Sequence, residues 1–256
     1  MTKVYCCNDD VTGILSAVYD AWITKSGQDD CKIQVRTDME QELFCEYIEV
    51  EESTKKALAV EAMIKRHLGY AAYYDIYYAA HSFDTEKGNA ILGTIMAARD
   101  IPNSKKIMDY LAHPQVYKVF TLSKNVGGEA HVFTEFIRFR ELKNKVLFAQ
   151  ITPKNQVLVS LAPHFSNRFP QENWMIYDKT HNMFVVHEAK KQWVLVSNTK
   201  ACEELLLQYS KEEECFSKLW RGFTTSISIK ERENRRCQLG HLPLRYRENM
   251  TEFDLV

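Results

Sequence analysis

The stretch from His131 to Val196 constrains this chain most, because short apolar or alternating runs there are cut apart by turn signals. Alternation sends successive side chains to opposite faces of a strand, so such runs become stable only by pairing with one another. Val132–Glu141, Val146–Thr152, Asn173–Tyr177, Met183–Glu188 and Gln192–Val196 are the predicted strands. Leu142-Lys143-Asn144-Lys145 reads as a hairpin connection, and residues 178–182 and 189–191 read as turns. Between the second and third strands, Val157, Leu158, Leu161 and Phe165 recur at helical spacing. They predict a helix over Gln156–Arg168, ended by Phe169-Pro170. The resulting order, β-β-α-β-β-β, describes an antiparallel sheet with a helix on one face.

The flanking sequence reads as support for that sheet. Lys3–Cys7, Ile33–Arg36 and Cys45–Val50 are short strand candidates. Asn8-Asp9-Asp10 supplies cap acceptors for a helix that carries Ile14, Leu15, Val18, Ala21 and Trp22 on one face, and acidic residues suit that end of the helix dipole. Ser53 opens a helix with Ala57, Val60, Ile64 and Leu68 in phase and Gly69 as its stop. Residues 70–81 continue as a helix whose tyrosines, at 70, 73, 74, 77 and 78, read as core with hydroxyls at the rim, in preference to a base-stacking platform. Lys87–Arg99 and Ser104–Leu122 are further helices, and Gly127-Gly128 is expected to release the chain into the sheet. Thr199–Leu207 and Ser210–Arg221 are predicted helices beyond it. The fold class expected is α+β: a helical N-terminal part packed with the antiparallel sheet and followed by C-terminal helices. The corresponding divisions are residues 1–125, 126–198 and 199–256, forming one compact unit.

The chain has 256 residues, 26% of them charged and 45% hydrophobic, as in an ordinary globular protein. Its net charge of −1 favours neither nucleic acid nor membrane, but the charge is unevenly spread. Residues 1–52 hold twelve acidic side chains against four basic ones. Residues 217–247 reverse the balance, with eight basic residues against Glu231 and Glu233. No apolar run approaches the roughly 20 residues of a membrane span, and the first residues lack a secretory core, so a cytoplasmic protein without a membrane partner is expected. Seven cysteines without CxxC spacing read as reduced thiols, so neither a metal nor a cofactor is expected. Phosphate-loop, GxGxxG, GxSxG and HExxH patterns are absent.

Two clusters could carry chemistry. His131, Glu135, His164 and Asp178 could form an acid–base site, with Arg138 and Arg168 nearby in sequence to hold phosphate. In an extended Val132–Glu141, however, the two arginines at 138 and 140 would face away from His131 and Glu135. The second cluster, Ser226–Glu248, brings Lys230, Arg232, Arg235 and Arg236 for phosphate contacts and Tyr246 for stacking, with Trp174 as another possible ring. A solvated helix end, paired to Glu231 and Glu233, explains the same charges equally well.

The combination of Arg138-Phe139, the segment Leu161–Asp178 (LAPHFSNRFPQENWMIYD), and Trp220 with Ile229–Glu248 (IKERENRRCQLGHLPLRYRE) resembles a bacterial family of DNA-metabolism or DNA-repair proteins linked to a radical-SAM protein. A related domain of unknown function occurs fused to uracil-DNA glycosylase-like domains. The opening NDDVTGILSAVYDAW is similar to that family's first helix, with Cys6 and Cys7 after Tyr5 in place of a Tyr-Asp-Gly-type start. The resemblance implies DNA and a radical-SAM enzyme as partners. Three functions follow as expectations: a nucleic-acid-binding accessory protein; an enzyme acting on DNA (nuclease, glycosylase-like or base-modifying); or a protein–protein scaffold using the acidic front.

Overall fold

Val4, Tyr5, Cys6 and Cys7 are all buried, as the middle strand of a parallel sheet requires of a short apolar run. In the computed structural model, which describes residues 2–24, 31–36, 43–197 and 208–253, Thr2–Cys7 (β1) lies between Cys31–Val35 (β2) and Cys45–Glu49 (β3). It runs parallel to both. Asp10 caps the following helix, Val11–Ile23 (α1), by accepting from the Gly13 N–H at 2.7 Å. Thr54–His67 (α2), Gly69–Ala80 (α3) and Lys87–Ala97 (α4) complete a core that includes Ile14, Ile33, Ile64, Ile76 and Ile91. Gly69, the first residue of α3, sits at φ +88° directly after Leu68, the C-cap of α2, a left-handed conformation that suits glycine just past a helix end.

The buried positions of α3 are Ala72, Ile76, Ala79 and Ala80, so the reading of its tyrosines as core holds at the rim for Tyr73, Tyr77 and Tyr78 and is corrected for Tyr70 and Tyr74. Three alanines and Ile76 face inward, and Tyr73 packs against the core from its edge. Tyr70 and Tyr74 are exposed, Tyr73 and Tyr77 are half-buried against each other, and Lys65 lies over the Tyr73 ring at 4.1 Å.

The chain divides into two compact units, Met1–Gly127 and Gly128–Val256. The boundary falls inside a helix, Pro114–Phe136 (α5), so the glycine pair does not end it and residues 132–136 are not strand. Val116, Val119, Leu122, Val126, Ala130 and Phe133 are all buried and keep three-to-four spacing straight through the pair. Two glycines cost a helix interior only about 1 kcal/mol each relative to alanine, and such a buried stripe outweighs that. Of the first predicted strand only Arg140–Glu141 (β4) remains.

The second unit otherwise follows the expected order. Leu147–Ile151 (β5), the helix Leu158–Arg168 (α6), Trp174–Asp178 (β6), Met183–His187 (β7) and Val194–Val196 (β8) form a sheet ordered β4-β5-β6-β7-β8. It is mixed, not antiparallel, because β5 and β6 are parallel. The strands that α6 separates are neighbours, and a helical crossover returns the chain to start in the same direction. Ala149, Ile151, Leu161, Phe165, Trp174, Ile176 and Val185 form the core. The fold is therefore α+β, with one parallel and one mixed sheet. Lys211–Ser226 (α7), Arg235–His241 (α8) and Leu244–Arg247 (α9) follow; the predicted helix over Thr199–Leu207 lies outside the described residues. Among the described residues no helix is long and apolar enough to cross a membrane.

Candidate functional site

In the second unit Ser210 caps α7, its hydroxyl accepting from the Glu213 N–H at 3.1 Å. The Ser-x-x-Glu spacing would ordinarily return the Glu213 carboxylate to the cap. Here that carboxylate turns away from the cap toward β4, accepting from the Glu141 N–H at 3.0 Å and the Ser217 hydroxyl at 2.7 Å, with Arg140 Nε 3.8 Å away. The Arg140 guanidinium lies over the Tyr209 ring at 3.7 Å. These bonds tie the start of α7 to β4.

The other end of the same wall is fixed by Glu252. Its carboxylate accepts from Arg138 Nη2 at 2.8 Å and Nε at 3.2 Å, and from the Trp220 indole N–H at 3.3 Å. Arg138 Nη1 also donates to the Glu135 carbonyl at 3.0 Å. Burial, the largest influence on Glu252, raises its pKa; the bonds from Arg138, a backbone N–H and Trp220 together outweigh it and hold the carboxyl below its usual value.

Between these anchors lies a cavity of about 470 Å³ lined by Arg138, Phe139, Glu213, Phe216, Ser217, Trp220 and Thr251. Its size is that of small-ligand sites. The helix that walls it is unusual in what it buries. Of α7 only Ser217 is buried, while Phe216, Leu219, Trp220, Phe223 and Ile227 are exposed at 66%, 63%, 42%, 53% and 59%. Their spacing makes one apolar stripe that faces away from the unit's own core.

The basic segment sorts into two groups. Arg245 is held by the buried Glu129 at 3.1 Å and lies over Tyr246; Arg247 donates to the Leu242 carbonyl and lies over Phe253. Arg232, Arg235 and Arg236 are exposed, and none forms an ion pair among the described residues. The Lys230 side chain lies outside the described residues. Arg168 is exposed on α6, its guanidinium 5.6 Å from the Phe169 ring centre.

Two of the proposed stacking rings are corrected by burial. Trp174 is 0% exposed, stacked on His187 within the core. Tyr246 is buried edge-to-face against Phe133, 5.0 Å between ring centres. Neither ring can receive a base without unpacking the core. The four acid–base candidates occupy three places. His131 and Glu135 are neighbours on an exposed face of α5, 3.6 Å apart, and His164 is exposed on α6. Asp178 is fully buried, and its carboxylate closes the β6–β7 turn by accepting from the Thr180 and His181 N–H groups and bonding His181 Nδ1 at 2.6 Å. Such bonding is what a turn aspartate ordinarily does.

Glu213, Phe216 and Glu252 were not singled out by the sequence reading. The Ser210–Glu213 spacing was visible; the pairing of Glu252 with Arg138, 114 positions apart, had no local signal. The first unit holds a buried charged group with no local sequence signal. Lys87 is 1% exposed, with its ammonium bound to the Asp9 carboxylate and the Ser82 carbonyl. Beside it His81, whose ring bonds the Tyr77 carbonyl at 2.8 Å, has its pKa lowered, first by burial and further by Lys87. This group sits after β1 at the carboxyl end of the parallel sheet, but Asp9 and Lys87 satisfy each other. Among the described residues no three or more His, Cys, Asp or Glu side chains are grouped to hold a metal ion.

A family model described as a domain of unknown function (DUF4130) matches residues 85–252, more than half of the chain. No curated protein matches. A solved structure described as the DHH domain of a member of a family of ribosomal proteins is similar over 73% of this chain and 74% of its own, at 10% identity and a TM-score of 0.29.

Proposed function

We propose, for a chain that belongs to this family of unknown function, that it is an accessory protein of DNA metabolism or repair that holds nucleic acid by its phosphates and works beside a radical-SAM enzyme. The observation that carries the binding half is the trio Arg232, Arg235 and Arg236, exposed within five positions and unpaired among the described residues. Arginine in that state offers a forked donor to phosphate without first breaking an internal ion pair. The partner half rests on the sequence resemblance carried by Arg138-Phe139, Leu161–Asp178 and Trp220. It also fits the apolar stripe of α7, since contiguous exposed apolar surface ordinarily meets another molecule. The enzymatic alternative has less support, because Asp178 is committed to its turn and His131 and His164 belong to different exposed helix faces.

The test is fluorescence anisotropy with a labelled 20-base-pair duplex and its single strand. Binding that weakens steeply with salt in the wild type, and is lost in R232E/R235E/R236E, supports the reading. No binding at 50 mM salt refutes it. For the partner, co-purification of the chain with a radical-SAM protein encoded in the same genome, abolished by L219D/F223D, is the expected result; failure to associate removes that half.

A further inference from the structure

We infer that the cavity between Arg138 and Trp220 is a receptacle for a single unstacked purine base, guanine in particular. This rests on the nucleic-acid reading above and adds the group that is held. Three aromatic side chains, Phe139, Phe216 and Trp220, line it, and two of them are substantially exposed. A planar base offers such rings a face to stack on, and every base has one. Trp220 is already oriented for this by its indole N–H bond to Glu252.

The polar groups select among occupants. Arg138 and Arg140 face Glu213 and Glu252, so the formal charge of the four is zero and a phosphate gains nothing there. A guanidinium has five N–H donors. Arg138 uses two on Glu252 and two on the carbonyls of Glu135 and Ile137, which leaves one Nη2 hydrogen. The Glu213 Oε2 atom accepts from the Glu141 N–H and retains a second lone pair. An apolar partner helix seated in the cavity would bury that donor and that acceptor without partners, at a cost for each. Guanine meets both, offering its O6 to the guanidinium and its N1–H and amino group to the carboxylate. The volume of about 470 Å³ accommodates a purine ring with its sugar at the mouth.

The experiment compares two fluorescent 12-nucleotide single strands with identical backbones, one of guanine- and adenine-bearing residues and one abasic throughout. The wild type is expected to bind the base-bearing strand about 5- to 150-fold more tightly, the range for one stacked base. F216A and W220A, at exposed positions whose truncation leaves the core intact, are expected to bind both strands with the affinity the wild type has for the abasic one. R232A/R235A/R236A is expected to weaken both strands alike. A strand carrying a single fluorescent guanine analogue that keeps the O6, N1–H and 2-amino groups should change its emission on binding, and millimolar guanosine should reverse that change more effectively than adenosine; equal reversal by the two would overturn the guanine preference. Equal wild-type affinity for the two strands overturns the receptacle and leaves phosphate binding standing. Unaltered preference in both F216A and W220A also overturns it, and leaves the aromatic face to a protein partner. Binding to neither strand overturns the receptacle, and the duplex titration decides the phosphate reading separately.

Discussion

Replacing Asp9 by Asn should destabilise the first unit by about 3 kcal/mol, because it leaves the Lys87 ammonium buried without a counter-charge. Lys87 is 1% exposed and Asp9 28%. Breaking a buried pair by removing one partner costs about 3–5 kcal/mol, and the partial exposure of Asp9 places this case at the low end. Removing the cation instead is milder. K87M leaves a carboxylate that water already reaches and fills the space with an apolar chain of similar length, so about 1 kcal/mol is expected. The double variant D9N/K87M should lie within about 1 kcal/mol of K87M, so the two losses are strongly non-additive. Urea titration read by hydrogen exchange on peptides from α1 and α4 follows this unit alone. With a denaturant slope of about 2–3 kcal/mol per molar, D9N should lower the midpoint by about 1–1.5 M. A D9N loss no larger than that of K87M would refute the argument that Lys87 depends on Asp9.

Acid should weaken the fold in two stages. Burial lowers the His81 pKa from 6.5, so its contribution is complete above that value. It is lost as pH falls below 6.5 toward the depressed folded value, because the unfolded chain takes up the proton first. The Glu252 carboxyl, lowered from 4.5, contributes fully above 4.5 and loses its contribution below it. Thermal melts of the wild type should therefore drop between pH 7 and 5.5, and H81Q should flatten that drop. W174A should cost about 3–5 kcal/mol by emptying a core site, whereas H131A and H164A should fall within about 0.5 kcal/mol of wild type in the same melts. The Cys7 thiol is pushed up to about 12, first by burial and then by Glu52, Asp10 and Asp9, so it should resist alkylation at pH 8 while the exposed Cys215 and Cys237 react. Early labelling of Cys7 in mass spectra would contradict its burial.

What could be read in the sequence was what repeats locally. The spacing of Ala57, Val60 and Ile64 and the short apolar run at residues 174–177 act between near neighbours, and the elements appeared where expected. The error at Gly127-Gly128 came from weighing a local helix-breaking preference above a buried stripe whose value depends on tertiary packing. Burial of Trp174 and Tyr246 was hidden for a related reason: an aromatic ring looks the same in sequence whether it fills a core or faces water. Phe216, Leu219, Trp220 and Phe223 have readable helical spacing. That their stripe faces outward depends on Glu213 and Ser217 taking the inward side, which spacing does not encode.

Whether Arg232, Arg235 and Arg236 hold phosphate is read from the salt dependence of duplex binding. Three neutralised phosphates contribute about −2.7 to the slope of log affinity against log salt, or about 40-fold in affinity between 50 and 200 mM. R232A/R235A/R236A should have a slope shallower than the wild type by about that amount. Equal slopes for the two proteins would contradict it.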